Sequence, residues 1–142
     1  MNALGVILAG GQAQRMGGID KGRLKIGDAS ILEIIIKCLN FQLDKIVLNA
    51  NGDLTRFSDL EIDVIPDTIK GYVGPLAGIL SGLRFAEQNG FSSILTVASD
   101  TPFFPVDLLS KLSNVSPQQS ALISIAATEQ KDKLIRHPTF GL

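Results

Sequence analysis

The stretch from Gly5 to Lys21, GVILAGGQAQRMGGIDK, constrains the fold of this chain more than any other. An apolar run that ends at Ala9 is typical of a parallel strand covered on both faces, and a glycine-rich loop follows it. Glycines let a backbone turn its N–H groups toward an anion, while Arg15 and Lys21 supply positive charge. Because open α/β sheets bind ligands at the carboxyl ends of their strands, the stretch predicts a phosphate site. A strand-to-helix connection without a ligand is the alternative.

The spacing of these glycines excludes the two commonest nucleotide motifs. The loop lacks G-x-G-x-x-G, and it lacks the Lys-Ser/Thr ending of the P-loop. Neither the dinucleotide mechanism nor the P-loop mechanism therefore transfers to this chain.

The composition indicates a well-buried α/β protein with a single domain, residues 1–142, since 45% of the residues are hydrophobic and 19% are charged. The net charge is −1 and there is no run of basic residues, so we expect neither nucleic acid nor a membrane as a partner. The single cysteine, Cys38, cannot form an internal disulfide, which fits a reducing cytoplasm. No apolar stretch reaches the roughly 18 residues of a membrane span, and the N-terminus has no basic leader. We therefore expect a cytoplasmic protein.

Strand and helix patterns alternate along the rest of the chain. Ser30 and Glu33 form a capping box ahead of an apolar helical stripe that ends near Asn40, and Pro75 and Gly90 bracket a second helix. The patterns also predict strands at residues 45–49, 62–65, 93–98 and 121–127, a helix at residues 105–112, a turn at residues 128–133 and a terminal strand within residues 134–142. This alternation predicts a Rossmann-like, doubly wound α/β fold with a mostly parallel sheet.

Polar side chains end or closely follow three of the predicted strands: Asn49, Asp67 and Asp100. In a doubly wound sheet they converge with the glycine loop at one edge. A bound triphosphate needs a carboxylate for its Mg²⁺, an ion that takes one or two protein carboxylates. Asp100, directly before Thr-Pro, is the predicted magnesium ligand, and Asp67 is the alternative. Plainer interpretations stay open, with Asn49 as a turn residue and Asp100 as a helix cap.

The loop resembles the signature L-A-G-G-x-x-x-R-M-G-G-x-D-K of the molybdenum cofactor guanylyltransferases. All ten specified positions are matched in this chain: Leu8, Ala9, Gly10, Gly11, Arg15, Met16, Gly17, Gly18, Asp20 and Lys21. Further blocks similar to the family follow in the same order, so the resemblance covers essentially the whole chain: Asn49-Ala50-Asn51, Asp67, G-P-L-A-G-I from Gly74 to Ile79, Asp100-Thr101-Pro102 and His137-Pro138.

The resemblance implies a nucleotidyltransferase, of the nucleotide-diphospho-sugar transferase fold type, that moves GMP from GTP to molybdopterin-bound molybdenum cofactor and releases pyrophosphate. It implies GTP contacts from Leu8, Ala9, Gly10, Lys21, Asn49, Asp67 and Asp100, with Mg²⁺ on Asp100. We further expect Gly11 and Gly74 to contact the nucleotide, and Arg15, Lys21 and Asp100 to carry the catalysis. A monomer is expected, with GTP, molybdopterin and other cofactor-pathway proteins or acceptor molybdoenzymes as its partners.

Three alternatives to this interpretation stay open. The relative that transfers CMP typically shows L-A-A-G in the loop, from which Gly10 and Gly11 depart. Sugar-phosphate nucleotidyltransferases share glycine-rich loops followed by basic residues. Members of the resembled family also continue beyond the His137-Pro138 block into further strand and helix segments, so we expect this chain to be shortened. A shortened chain that binds GTP and turns over nothing is the third alternative.

Overall fold

The computed structural model describes residues 2–10, 15–16, 19–71, 74–114 and 123–142. Within these ranges the strands are β1 (Ala3–Leu8), β2 (Arg15–Met16), β3 (Ile19–Asp20), β4 (Lys25–Ile26), β5 (Ala29–Ser30), β6 (Ile46–Asn49), β7 (Asp63–Ile65), β8 (Ser93–Ala98), β9 (Ile125–Gln130) and β10 (Lys133–Gly141). The helices are α1 (Ile31–Asn40), α2 (Pro75–Gln88) and α3 (Leu108–Ser113), with 3-10 segments at Lys21–Arg23 and Leu54–Leu60.

Six of these strands form one sheet in the order β7-β6-β1-β8-β10-β9. The first four run parallel, with β1 between β6 and β8 and buried along its whole length. Alternate residues of β1 point to opposite faces, so Ile7 joins one hydrophobic core and Val6 joins the other. The other strands form two small antiparallel pairs, β2 with β3 and β4 with β5. The predicted mostly parallel architecture is confirmed.

Helices cover both faces of the sheet, as a doubly wound fold requires. The apolar stripe of α1 packs on one face together with α3 and the 3-10 segment Leu54–Leu60, whereas α2 packs on the other face. The predicted capping box of α1 is present, since Ser30 Oγ accepts the Glu33 N–H and the Glu33 carboxylate accepts the Ser30 N–H. These bonds lower the pKa of Glu33. None of the helices within the described ranges is long and apolar enough to cross a membrane.

The C-terminal strands differ from the prediction in position. The strand predicted at residues 121–127 instead spans Ile125–Gln130, and residues 121 and 122 lie outside the described residues. Residues 128–130 belong to this strand and not to the predicted turn, because the pairing of β9 with β10 continues to Gln130 and Lys133. Only Lys131 and Asp132, with φ of 47° and 61°, form the reversal. A polar stretch therefore forms a strand because its partner strand supplies the hydrogen bonds.

The third helix begins three residues later than predicted, at Leu108 instead of Pro105. The Pro105 carbonyl accepts the Leu108 N–H at 3.1 Å in a turn, and it also lies 3.4 Å from Gln42 Nε2 of a neighbouring segment. Asp107, with φ of −111°, holds the N-cap position. Proline at residue 105 therefore starts the turn that leads into the helix and not the helix itself.

Candidate functional site

The carboxyl ends of the four parallel strands lie side by side because they share one row of the sheet register. Leu8 pairs with Asn49 on one side and with Ala98 on the other, and Asn49 pairs with Ile65. The residues two positions beyond this row are Gly10, Asn51, Asp67 and Asp100. Backbone bonds continue the alignment past the strands, since the N–H of residue 9 donates to the Asn49 carbonyl at 2.8 Å. The register thus brings four candidate residues to one edge of the sheet.

Asn49, Asn51 and Asp67 form a hydrogen-bonded network at this edge. Asn49 is only 1% exposed, and its Nδ2 donates to Asp67 Oδ1 at 2.9 Å and to the Ile65 carbonyl at 3.3 Å. Asn51 Nδ2 donates to Asp67 Oδ2 at 2.9 Å and to the Gly10 carbonyl at 3.1 Å. The Asp67 N–H donates in return to Asn51 Oδ1 at 2.8 Å. Both carboxylate oxygens thus accept charge-assisted bonds, which hold the carboxylate and the start of the glycine loop in one arrangement.

Two glycines allow the backbone to approach this network. A Cβ atom on Gly10 would lie 2.9 Å from Asn49 Oδ1, and one on Gly78 would lie 2.3 Å from the same oxygen. Such distances are below van der Waals contact, so a larger residue at either position would displace the buried amide. Gly78 lies in the first turn of α2, which therefore packs directly against Asn49.

A cavity of about 240 Å³ opens beside the network and is lined by Asn51, Asp67, Ile69, Lys70 and Gly71. Its wall is tied to α2, because the Thr68 N–H donates to Ser81 Oγ at 3.0 Å and that hydroxyl donates to the Ala77 carbonyl at 2.9 Å. The cavity is therefore lined by the Asp67 carboxylate, the Asn51 amide and Lys70, and a hydrogen bond to α2 holds its wall in place.

Arg56 connects the network to the far end of the signature loop. Its Nε donates to Asp20 Oδ2 at 2.8 Å, and its Nη1 donates to the carbonyls of Asn51 at 2.7 Å and Asp53 at 2.6 Å. The guanidinium carbon lies 4.3 Å from the centroid of the buried Phe57 ring. The Arg56 and Asp20 side chains are 22% and 15% exposed, so water screens this ion pair less than an ordinary surface pair.

Arg23 also connects the residues after the signature loop to the 3-10 segment Leu54–Leu60. Its Nη1 donates to Asp59 Oδ2 at 2.8 Å, and its Nη2 donates to the Arg56 carbonyl at 2.6 Å. The guanidinium carbon also lies 5.4 Å from the Phe57 ring centroid. The bond with Asp59 raises the pKa of Arg23, and the bond with Arg23 lowers the pKa of Asp59. The 3-10 segment Leu54–Leu60 is thus held against the residues that follow the loop.

Asp100 lies in an exposed turn directly after β8, where its Oδ1 accepts the Thr101 hydroxyl at 3.1 Å. It does not cap α3, because Asp107 holds that N-cap position. Among the described residues, no group of three or more His, Cys, Asp or Glu side chains is placed to hold a metal ion. Asp100 is therefore a single accessible carboxylate at the site edge.

The other predicted site residues that the structure describes lie on separate elements. Leu8 ends β1, and Lys21 begins the 3-10 segment Lys21–Arg23 with its side chain half-buried. The backbone of Arg15 pairs with Asp20 between β2 and β3, whereas Gly11 lies outside the described residues. Gly74, with φ of 71°, is the N-cap of α2.

Two residues of this edge, Asn51 and Arg56, were not predicted as site residues. Asn51 has a signal in the sequence, because it follows its strand by the same two residues as Asp67 and Asp100. Arg56 has no such signal, since its carboxylate partner Asp20 lies 36 positions away. Only the folded chain brings those two side chains together.

A parallel sheet, a glycine loop after its central strand and a polar row at the same edge define an α/β domain of the nucleotide-binding type. The profile of the MobA-like NTP transferase domain matches residues 5–140. The chain belongs to this family.

Two curated relatives of this chain have the same name. The molybdenum cofactor guanylyltransferase of Mesorhizobium japonicum is 42% identical over 97% of this chain, and that of Nitrobacter hamburgensis is 41% identical over 97%. The alignments cover 65% of each of those proteins. The chain therefore spans about 65% of the length of these relatives.

Solved structures share the fold. Molybdopterin-guanine dinucleotide biosynthesis protein A from Archaeoglobus fulgidus superposes with a TM-score of 0.66 at 22% identity, over 97% of this chain and 65% of that one. A nucleotidyl transferase from Methanothermobacter superposes with a TM-score of 0.62 at 21% identity, over 78% of this chain and 56% of that one. The architecture is thus that of known nucleotidyl transferases.

We expect Asp67→Asn to lower the free energy of unfolding by about 1–3 kcal/mol, the range for a buried polar group that loses its partner. Either orientation of the new amide turns an NH₂ group toward a donor, Asn49 Nδ2 or Asn51 Nδ2. Urea denaturation at neutral pH measures the loss. Asp63→Asn, which removes the exposed ion pair with Lys45, is the matched control and should change stability by less than about 1 kcal/mol. Equal effects of the two variants would contradict the structural role of the network.

Proposed function

We propose that this chain binds GTP at the carboxyl edge of its sheet and transfers GMP to molybdopterin-bound molybdenum cofactor with release of pyrophosphate. The observation that carries the proposal is the hydrogen-bonded network of Asn49, Asn51 and Asp67, in which Asn51 bonds the Gly10 carbonyl. The names of relatives about 40% identical to the chain support the same reaction. We further propose that the chain acts as a cytoplasmic monomer that serves acceptor molybdoenzymes or other proteins of the cofactor pathway.

The nucleoside of GTP is assigned to the amide and carboxylate side of the edge. Asn51 and Asp67 line a cavity with room for part of a nucleoside, and the buried Asn49 holds the Asp67 carboxylate in place. A site that hydrogen-bonds one base edge rejects bases that leave its buried polar groups unpaired. This chemistry supports a preference for guanine over the other bases.

The triphosphate is assigned to the loop side of the edge. The nucleotide contacts proposed for this side are Leu8, Ala9, Gly10, Gly11 and Gly74, and the cations Arg15 and Lys21 belong to the signature of the glycine loop. Positive charge is needed most where pyrophosphate departs, because negative charge accumulates there as the bond breaks. Arg15 and Lys21 are therefore proposed to stabilise the leaving group.

The chemistry of Asp100 fits the Mg²⁺ that a nucleoside triphosphate brings. It is an exposed carboxylate at the carboxyl end of a central strand, and Mg²⁺ is held by one or two protein carboxylates together with phosphate oxygens and water. When bound, this ion neutralises phosphate charge during the transfer. Asp67 is less suited, because two amide groups already occupy its oxygens.

The proposed transfer is one in-line displacement. An acceptor phosphate oxygen attacks the α-phosphorus of GTP, and the bond from that phosphorus to the bridging oxygen of the β-phosphate breaks. Pyrophosphate leaves with the electron pair of that bond, and GMP becomes attached to the acceptor. The chain itself forms no covalent bond, so its residues act by orientation and by charge.

A GTP-binding module without turnover is the second candidate, because every residue assigned here to GTP lies between positions 8 and 100 and none is assigned to the acceptor. The curated relatives contain residues beyond those that this chain matches, since it spans about 65% of their length.

Incubation of the chain with GTP, Mg²⁺ and molybdopterin, followed by assay of pyrophosphate, tests the proposed transfer. Pyrophosphate release and the guanine dinucleotide product are expected. GTP binding without release would support the module instead. Competition by CTP as strong as that by GTP would contradict the guanine assignment, and acceptance of a sugar phosphate would indicate the sugar-phosphate reaction.

Lys21→Ala is expected to weaken GTP binding by roughly 10- to 150-fold, which corresponds to the 1.5–3 kcal/mol of a hydrogen bond to a charged group. Lys21 directly follows the signature loop, so its loss leaves triphosphate charge without a partner. Calorimetric titration with GTP measures the change. Lys25→Ala, at an exposed position four residues later, is the control and should bind like the wild type. Unchanged affinity in Lys21→Ala would remove this lysine from the site.

Asp100→Asn should abolish most of the effect of Mg²⁺ on GTP affinity. The single carboxylate completes a coordination shell that phosphate oxygens begin, and its replacement also removes negative charge beside the triphosphate. Metal-free GTP affinity is therefore expected to stay the same or to rise slightly. Titration of GTP with and without Mg²⁺ into the wild type, Asp100→Asn and the control Asp107→Asn decides the matter. An identical magnesium effect in all three would transfer the carboxylate role to Asp67.

A further inference from the structure

The fixed network and the signature loop are separate parts of the site that must keep one relative position. The network holds the start of the loop, because Asn51 Nδ2 bonds the Gly10 carbonyl. Lys21 lies eleven positions later, at the far end of the loop. A long glycine-rich loop gives up much conformational freedom when it is ordered, so a bond near Lys21 has a large effect on where that lysine lies.

We propose that Arg56 is a positioning residue that fixes Lys21 relative to the base-side network, an inference that rests on the proposed binding of GTP. One edge of its guanidinium holds the carboxylate of Asp20, the residue before Lys21, through Nε at 2.8 Å and Nη2 at 3.4 Å. Nη1 holds the Asn51 carbonyl at 2.7 Å. One planar group thus bridges the far end of the loop and a member of the network.

The planar geometry of arginine suits this bridge. A guanidinium directs several N–H groups in fixed directions, whereas a lysine ammonium is a point charge on a flexible stem. Phe57 supports the plane, because the Arg56 guanidinium carbon lies 4.3 Å from its ring centroid and the ring itself is 1% exposed. The Arg56 guanidinium is therefore held in one orientation between the Asp20 carboxylate and the Asn51 carbonyl. Of the loop residues that the structure describes, Asp20 is the one that bonds Arg56, and no contact with the nucleotide is assigned to Arg56.

The bridge predicts how the effects of mutating Asp20 and Arg56 on GTP affinity combine. If Asp20 acts by holding Arg56, loss of either group breaks the same link, and loss of both should cost no more than loss of one. If Asp20 or Arg56 acted on the nucleotide directly, the two losses would multiply. Because the link positions Lys21 at the phosphates, it should affect GTP, which has three phosphates, more than GMP, which has one.

The test is a double-mutant cycle with Asp20→Asn, Arg56→Met and the combined variant, titrated with GTP and with GMP. Methionine keeps an apolar stem against Phe57 while the N–H groups are lost. Each single variant is expected to lower GTP affinity about tenfold, and the combined variant about tenfold rather than a hundredfold. GMP affinity should fall less than threefold, and Arg56→Lys should recover part of the loss for GTP.

Asp63→Asn is the matched control, since Asp63 is an exposed carboxylate whose ion-pair partner is Lys45, away from the loop and from Arg56. It should leave GTP affinity unchanged, and urea denaturation should show that all variants are folded at the titration temperature. Multiplicative losses, equal losses for GTP and GMP, or an equal loss in Asp63→Asn would each overturn the positioning role. Failure of the wild-type chain to bind GTP would instead overturn the proposed function, and this inference with it.

Discussion

The parallel pairing of β1 with β6 on one side and β8 on the other is the constraint on which the site depends. This register puts the last residues of four strands in one row, so the residues two positions beyond them meet at one edge. A slip of one residue would exchange the faces of β1, moving Val6 and Ile7 into the wrong cores. Because both faces of β1 are apolar, the shapes of the two cores, and not an alternation of apolar and polar residues, favour this register and with it the geometry of Gly10, Asn51 and Asp67.

The network at that edge links stability to binding. A buried amide such as Asn49 costs free energy unless its groups are bonded, and here the Asp67 carboxylate and a strand carbonyl accept its two N–H groups. The same bonds orient the carboxylate toward the cavity. Gly10 and Gly78 matter both for stability and for the geometry of the edge, because side chains at these positions would enter the space of the Asn49 amide. A substitution at this edge thus affects folding and ligand geometry together, which makes matched controls necessary.

The parts of the fold that the sequence predicted are those encoded by neighbouring residues. The capping box of α1 needs only Ser30 and Glu33, and the buried strand Ala3–Leu8 is visible as a continuous apolar run. β9 was misplaced because its extent is set by the pairing with β10, and the start of α3 was misplaced because Pro105 begins a turn. The polar row was predicted from strand ends, whereas Arg56 could not be, since its link to Asp20 spans 36 positions.

The residues assigned to the nucleotide divide the sheet into two parts. They lie on or directly after the parallel strands β1, β6, β7 and β8 and in the segments between them, while the antiparallel pair β9 and β10 packs beyond β8 and contributes no residue to that assignment. Parallel strands need long crossover connections, and here those connections carry the loop, the arginine bridge and α2. The proposed nucleotide binding therefore draws on one continuous half of the fold, in which helices cover both faces of the sheet.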